Sequence, residues 1–291
     1  DDRQRNSTSI RYVFMSTQTI PESVAAKEAK LIEILREYGA IAIAYSGGVD
    51  SAYLSAVAHE TLGDDARLIL ADSPSIPRAE VKEACDLAEA RGWNLTVVAT
   101  TEFENEAFLK NDGTRCYHCK TELFTQMDAY VATNGISVVA YGEITEDQLA
   151  PARLGARAAR EHDVVAPLAL AGLEKEEIRR LSRVRELPTW NKASFACLSS
   201  RFPTGTRVEP KEVHKVEAAE EVLKSLGFHQ YRARHHGDVC RVEVDASDIP
   251  RLLDESIRNA VVAGITQAGY RYVTLDLAGY RTGSTADLPP T

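Results

Sequence analysis

Six consecutive residues, Ser46-Gly47-Gly48-Val49-Asp50-Ser51, follow the apolar run Ile41-Ala42-Ile43-Ala44-Tyr45 and open a helical segment. Adjacent glycines let a backbone turn tightly and approach an anion with no Cβ in the way. Free amides at a helix start, reinforced by the helix dipole, then hold phosphate. Ser46 and Ser51 add hydroxyl donors, and Asp50 can help to hold Mg²⁺. The spacing is not that of the Walker A loop, which carries a lysine before its Ser/Thr. A second group is built from cysteine. Cys116 and Cys119 stand at i and i+3, on one face of a helical turn, and Cys197 lies far away in sequence. Three thiolates can hold three irons of a [4Fe–4S] cluster and leave the fourth iron open. The same three with His118 can form a structural zinc site. Cys-x-x-Cys alone can be a redox pair, and the spacing also admits three unlinked thiols. Cys85, among Ala84, Leu87 and Ala88, and Cys240, in strand parity with Val242 and Val244, read as core residues.

The elements that hold these groups follow from hydrophobic periodicity. The pattern predicts a helix from Val24 to Tyr38, a strand at 41–45, a helix from Ser51 to Thr61 and a strand from Arg67 to Ala71. A helix over Arg78–Arg91, a strand at Leu95–Ala99, a helix from about Lys120 to Asn134 and a strand at Val138–Tyr141 continue the alternation. Strands alternating with helices imply an α/β fold with a doubly wound parallel sheet. The pattern changes after about Arg201. A helix over Lys211–Leu226, strands at Tyr231–His235 and Val239–Val244, a mostly helical stretch over Ala246–Gly269 and a strand at Tyr270–Leu277 describe a smaller C-terminal α+β domain. The expected division is a disordered extension at 1–24, with Met15 as a candidate start, a nucleotide domain at 25–200, an α+β substrate and assembly domain at 201–285, and a tail at 286–291.

Composition sets the outer bounds. The chain has 291 residues, 44% of them hydrophobic and 26% charged, which is ordinary for a globular protein of about two domains. Its longest apolar runs fall far short of the ~20 residues of a membrane helix. A net charge of −9 gives no general attraction to nucleic acid or anionic lipid, so any anionic ligand needs a local basic site. Five cysteines, an odd number, without a signal peptide pattern point to the reducing cytoplasm.

With these residues in view, Ser46–Ser51 resembles the SGGxDS loop of the PP-loop ATP pyrophosphatases. That resemblance implies cleavage of ATP to AMP and pyrophosphate, with the loop holding pyrophosphate and the adenosine near Ala71, Asp72, Ser73 and Gly142. Arg115-Cys116-Tyr117-x-Cys119-Lys120, then Ser199-Ser200-Arg201-Phe202-Pro203-x-Gly205-Thr206, are similar to motifs of the LarE family. So are Arg232-x-Arg234, Arg241-x-Glu243 and Leu275-Asp276-Leu277-x-Gly279-Tyr280-Arg281-x-Gly283, so that the likeness runs from about residue 27 to 283. LarE proteins are sulfur transferases of nickel-pincer nucleotide biosynthesis. The resemblance implies adenylation of a carboxylate of a pyridinium dicarboxylate mononucleotide and replacement of an oxygen by sulfur. In relatives that sacrifice one cysteine's sulfur, that residue falls where this chain has Phe195. The departure favours the type whose [4Fe–4S] cluster is held by three cysteines, here Cys116, Cys119 and Cys197. A sulfur donor that reloads the site and a homo-oligomeric assembly are further implications.

Strand parity puts Arg232 and Arg234 on one face of their strand, and Arg241 with Glu243 on the face of the next strand opposite Cys240. Such a set can hold a phosphate or carboxylate, or form a solvated face of ordinary ion pairs. The resemblance places them near the anionic substrate and adds Arg201 and Arg281. Asp147 and Arg153 match a family loop in which Leu154 here replaces a proline. His235 and His236 point to opposite strand faces and with Asp238 read as a hairpin, and Trp93 and Trp190 as packing residues. The competing readings are a tRNA thiolase with the same cluster, an amide-forming PP-loop synthetase, and a nucleotide-binding protein with structural zinc.

Overall fold

A computed structural model of the chain describes residues 20–148, 154–193 and 196–281. Expectations resting on Met15, Arg153, Phe195, Gly283 and the 286–291 tail lie outside the described residues. The first part of the chain runs α1 (Glu22–Tyr38), β1 (Ile41–Ala44), α2 (Val49–Leu62), β2 (Ala66–Asp72), α3 (Arg78–Ala90), β3 (Asn94–Ala99), α4 (Glu106–Leu109), α5 (Arg115–Asn134) and β4 (Val138–Tyr141). Four short helices follow: α6 (Thr145–Gln148), α7 (Leu154–Glu161), α8 (Pro167–Leu170) and α9 (Lys175–Val184). The last part comprises α10 (Pro210–Ser225), β5 (Tyr231–His236), β6 (Val239–Val244), α11 (Glu255–Gln267) and β7 (Tyr272–Leu275).

β1 to β4 form a parallel sheet in the order β3-β2-β1-β4. Both faces are covered, which is why β1 is apolar at every position. Ile41, Ile43, Leu68 and Leu70 pack with Leu31 and Leu35 of α1, Leu54 and Val57 of α2, Ala84 of α3 and Ile178 of α9. Ala42, Ala44 and Ile69 face the other way, onto Phe124 and Met127 of α5 and Ala158 of α7. The fold is therefore α/β and doubly wound. Its strand order reverses between β1 and β4, and in open sheets of this kind ligands bind outside the carboxyl ends of the strands at that reversal.

β5, β6 and β7 make a separate mixed sheet. β5 and β6 are an antiparallel hairpin turned at Gly237 (φ 64°), and β7 lies parallel to β6. Ala233, Cys240, Val242 and Val244 face Ala219 and Leu223 of α10 and Val261 and Ile265 of α11. Cys240 is thus a core residue, and Cys85 packs at the edge of the larger core.

Several boundaries differ from the periodicity. α1 begins at Glu22, before the expected Val24 and within the segment expected to be disordered. α5 begins at Arg115 rather than near Lys120, so both of its cysteines are helical. The stretch expected as one helix after Val244 is a 3-10 segment over Ala246–Leu253 containing Pro250, then α11, capped by Asp254 through the amides of Ser256 and Ile257. The last strand spans only Tyr272–Leu275: Tyr270 is buried ahead of it, and the Asp276 side chain accepts the Ala278 amide in a turn that follows it. The periodicity predicts neither α4 nor helices α6 to α9. Among the described residues no helix is long and apolar enough to cross a membrane.

Candidate functional site

The loop after β1 has two glycines with different reasons to be there. Gly47 has φ +68°, and a Cβ on it would stand 2.7 Å from the Cβ of Ala84 in α3. The protein itself requires glycine at that position. Gly48 is extended (φ −81°, ψ 170°) and caps α2; a Cβ there would meet only the Ser46 hydroxyl, at 3.4 Å. Its bare backbone is available to a ligand instead. The Ser46 amide donates to Ser51 Oγ over 3.1 Å, and the two hydroxyls are 3.0 Å apart, which fixes the turn. Gly142, just past β4, completes the close approach: a Cβ there would lie 2.9 Å from the Ser51 amide nitrogen.

Asp50, in the first turn of α2, is paired with Lys175, whose Nζ lies 2.6 and 2.8 Å from its carboxylate oxygens. Lys175 opens α9 behind a capping box of Glu174 and Glu177, and its amide donates to Glu146 over 2.9 Å. A cation that the loop sequence lacks is thus delivered from a distant helix. Nothing local in the sequence marks this lysine among its neighbours; only the fold brings it to Asp50.

Above the carboxyl ends of β1, β2 and β4 opens a cleft of about 750 Å³. Ser46, Gly48, Asp50 and Ser51 line one side, and Ala71, Ser73 and Gly142 lie along the strand ends. Cys116, Cys119 and Cys197 line the same cleft. Gly47 turns beneath it, and Asp72, expected beside the adenosine, is engaged by Arg78 instead of lining the cleft. Asp147 is at the lining too. Cys116 is exposed, while Cys119 and Cys197 are half-buried. Burial first, then the neighbouring Cys197, pushes the Cys119 thiol up to about 12. Burial also holds Lys120 below the usual lysine range; its ammonium lies over the rings of Phe124 and Tyr141, at 5.6 and 5.5 Å. Metal ions reverse this preference for the neutral thiol, because a coordinating thiol is deprotonated.

Among the described residues no three His, Cys, Asp or Glu side chains stand close enough together to hold a single metal ion. His118 is not part of the cleft lining. A polynuclear iron–sulfur cluster has a different demand, thiolates distributed around a larger body. Three thiols lining one cleft supply that donor set.

Two further residues of the cleft are given no role by the sequence: Glu102, which no motif includes, and Arg115, which stands only as the first residue of the cysteine motif. Glu102, only 2% exposed, accepts the Ser73 hydroxyl with one carboxylate oxygen. Its other oxygen has no hydrogen-bond partner among the described residues. Arg115 also lines the cleft, and its Nη1 donates to the Ser199 carbonyl over 2.6 Å.

The expected substrate arginines lie elsewhere. Arg234 pairs with the fully buried Glu243 at 2.8 Å, Arg241 approaches Glu243 at 3.3 Å and also engages Asp276, and Arg281 meets Asp276 at 3.3 Å. They form one chain of ion pairs on the sheet face away from the core, as strand parity implies. Arg201 is 1% exposed; Nε and Nη2 donate to Glu220 over 2.8 and 2.9 Å, and Nη1 donates to the Ala196 carbonyl over 2.6 Å. Arg232 stacks on Tyr280 at 5.0 Å and donates to the Tyr231 carbonyl over 2.6 Å. Arg201 and Arg232 line a second cavity of about 500 Å³ between the start of α3, α10 and β5. None of these arginines lines the loop cleft, but the two spaces adjoin: Glu80 lines both, and Cys197 and Leu198 lie on either side. His235 is buried against Phe202 and Tyr270 while His236 is exposed, so the histidine pair makes no shared site.

No model of a known protein family matches the chain. Among curated proteins, it is 35% identical over 259 residues to an uncharacterised protein of Synechocystis sp., covering 88% of this chain and 96% of that one. It is 32% identical over 266 residues to the pyridinium-3,5-bisthiocarboxylic acid mononucleotide synthase of Lactiplantibacillus plantarum, covering 91% and 95%. An uncharacterised protein of Methanocaldococcus jannaschii is 26% identical over 242 residues, with 83% and 91% covered.

Proposed function

The chain belongs to the LarE family, since its likeness to the Lactiplantibacillus synthase extends over nearly the full length of both, and on that footing we propose that it is an ATP-dependent sulfur transferase. Its substrate in this reading is a pyridinium dicarboxylate mononucleotide, one carboxylate of which becomes a thiocarboxylate. The observation that carries the reading is the shared cleft: a phosphate-holding loop and three thiols face one space.

A carboxylate oxygen is a poor leaving group, and AMP is a good one. In the first step a substrate carboxylate oxygen attacks the α-phosphorus of ATP and the bond to the bridging oxygen breaks. The amides at the start of α2, the hydroxyls of Ser46 and Ser51 and the ammonium of Lys175 stabilise charge that develops on pyrophosphate. Asp50 would hold Mg²⁺, which adds positive charge at the departing phosphates. Ala71, Ser73 and Gly142 bound the strand-end wall on which the adenosine rests. In the second step a sulfur nucleophile attacks the acyl carbon, the carbon–oxygen bond to AMP breaks, and AMP leaves with the oxygen. A [4Fe–4S] cluster held by Cys116, Cys119 and Cys197 would supply labile sulfur at the iron that no cysteine holds. Arg232, with Arg201 behind it, would retain the phosphate end of the substrate in the second cavity while the dicarboxylate reaches past Cys197. Orientation of this kind contributes by fixing the reacting atoms within bonding reach.

The test is pyrophosphate release on mixing ATP with the dicarboxylate mononucleotide. Wild type should release it, and Asp50→Ala should not while melting cooperatively. Equal release by both would reject the loop as the reacting site.

A further inference from the structure

The three cysteines come from two segments far apart in sequence, and something must hold those segments in register. Cys116 and Cys119 lie in the first turns of α5. Cys197 precedes a 3-10 turn over Leu198–Arg201 and the loop 202–208. Between them sits Asn111, 4% exposed, in the left-handed region at φ 51°. Few side chains adopt that conformation, and asparagine is among the tolerant ones. Its Nδ2 donates to the carbonyls of Pro203 (2.9 Å) and Thr206 (3.1 Å) and reaches that of Phe202 (3.4 Å). Its own carbonyl accepts the Gly205 amide over 2.7 Å. Its Oδ1 accepts Nη1 of Arg115 over 2.7 Å, and the same Nη1 donates to the Ser199 carbonyl over 2.6 Å. Arg115 is the residue before Cys116. One asparagine and one arginine thus tie the first turn of α5 to the segment that carries Cys197. On the far side, the Leu198 amide donates to the Ser75 carbonyl over 2.8 Å, which anchors the segment to the loop after β2.

We infer that Asn111 and Arg115 are positioning residues that hold Cys197 opposite Cys116 and Cys119, so that the three thiols form one preorganised site. The inference rests on the reading above that these thiols act together. Neither residue need touch substrate for this role. A buried amide making several carbonyl contacts fixes a loop more tightly than a surface hydrogen bond does, because its loss strands polar groups away from water.

The test uses the full chain in its metal-free form and dibromobimane, a reagent that bridges two nearby thiols. Mass spectrometry of the digested protein reads the yield of bridges between Cys197 and either cysteine of α5. Asn111→Gly keeps the backbone conformation without strain and removes only the side-chain contacts. Arg115→Ala removes the second half of the clamp from a half-buried position, so it reports even where Asn111→Gly fails to fold. Both should lower the bridged yield about tenfold, and anaerobic iron uptake should fall with it. Met127→Ala, which opens the core under α5 instead, should lower the melting temperature and leave the bridge in place. Cooperatively melting Asn111→Gly and Arg115→Ala proteins with wild-type bridging would overturn the inference. So would a wild-type protein that forms no bridge to Cys197. Wild-type protein that bridges these thiols but takes up no iron would instead remove the cluster from the proposed function, with the clamp still decided by the variants' bridging.

Discussion

Replacing Gly142 by alanine perturbs the nucleotide site without touching any group that reacts. The new Cβ would lie 2.9 Å from the Ser51 nitrogen, 3.1 Å from its Cα and 3.2 Å from the carbonyl carbon of Asp50. All three are backbone atoms at the start of α2, so no side chain can swing aside. Restoring an ordinary contact of ~3.5 Å requires a shift of roughly 0.5 Å between β4 and the helix start. Overpacking of this kind costs about 1–3 kcal/mol, and each kcal/mol lowers the melting temperature of a chain this size by roughly 2–4 °C. The amides that would hold pyrophosphate move with the helix start. Loss of one such donor costs about 10²–10³-fold in rate. Gly48→Ala is the contrasting case, because inside the protein its Cβ meets only the Ser46 hydroxyl at 3.4 Å. Its stability should stay within about 1 kcal/mol of wild type, yet in the proposed reaction pyrophosphate release should fall as steeply, because the added methyl group would stand in the path of the phosphate. The assays are thermal melting by circular dichroism and pyrophosphate release coupled to phosphate detection. Wild-type melting and release in Gly142→Ala would refute the close approach, and normal release in Gly48→Ala would refute the loop as a pyrophosphate site.

Other expectations follow from the ion pairs and the buried histidine. Lys175→Met should cost only about 1 kcal/mol of stability, because both partners of its pair are partly in water, while pyrophosphate release falls roughly ten- to a hundredfold; unchanged release would confine Lys175 to a structural pair. Arg234→Ala should destabilise by about 3 kcal/mol, since it strips a partner from the fully buried Glu243, whereas Arg232→Ala should weaken nucleotide-substrate binding and melt near wild type; denaturant titration and calorimetric binding separate the two. Burial chiefly holds His235 below the ordinary histidine value of 6.5, so the folded protein binds fewer protons than the unfolded one just below that pH. The stability this confers is present above about pH 6.5 and is lost as pH falls below it; melting curves from about pH 7.5 to about 5 should show a smaller drop for His235→Gln than for wild type.

The sheet was legible because Ile41–Tyr45, Arg67–Ala71, Leu95–Ala99 and Val138–Tyr141 are short apolar runs spaced by helical patterns; β1 is buried at every position, while the edge strand β3 leaves Val97 exposed and is marked by its run of β-branched residues instead. The loop was legible because its glycines, serines and aspartate are contiguous. Lys175 and Asn111 were not, since each acts across the fold: one reaches a carboxylate 125 residues away and the other binds carbonyls more than 90 residues on. Carbonyl and ion-pair partners leave no local pattern. Strand parity gave the common face of Arg234, Arg241 and Glu243 but not their mutual pairing, which depends on the register Arg234↔Arg241 and Arg232↔Glu243. The helices between Thr145 and Val184 escaped because three of the four span eight residues or fewer, too short for a 3.6-residue period to declare itself.

In the proposed reaction ATP activates a substrate carboxylate in the same cleft from which sulfur is delivered. A single turnover of anaerobically prepared protein with ATP and the pyridinium dicarboxylate mononucleotide tests it most directly, with pyrophosphate, AMP, product mass and protein mass read from one sample. The expected result is equal amounts of pyrophosphate and of a product in which one oxygen has become sulfur, with bound iron and sulfide beforehand and an unchanged polypeptide mass afterwards. Pyrophosphate without sulfur in the product, or a polypeptide lighter by one sulfur atom, would contradict it.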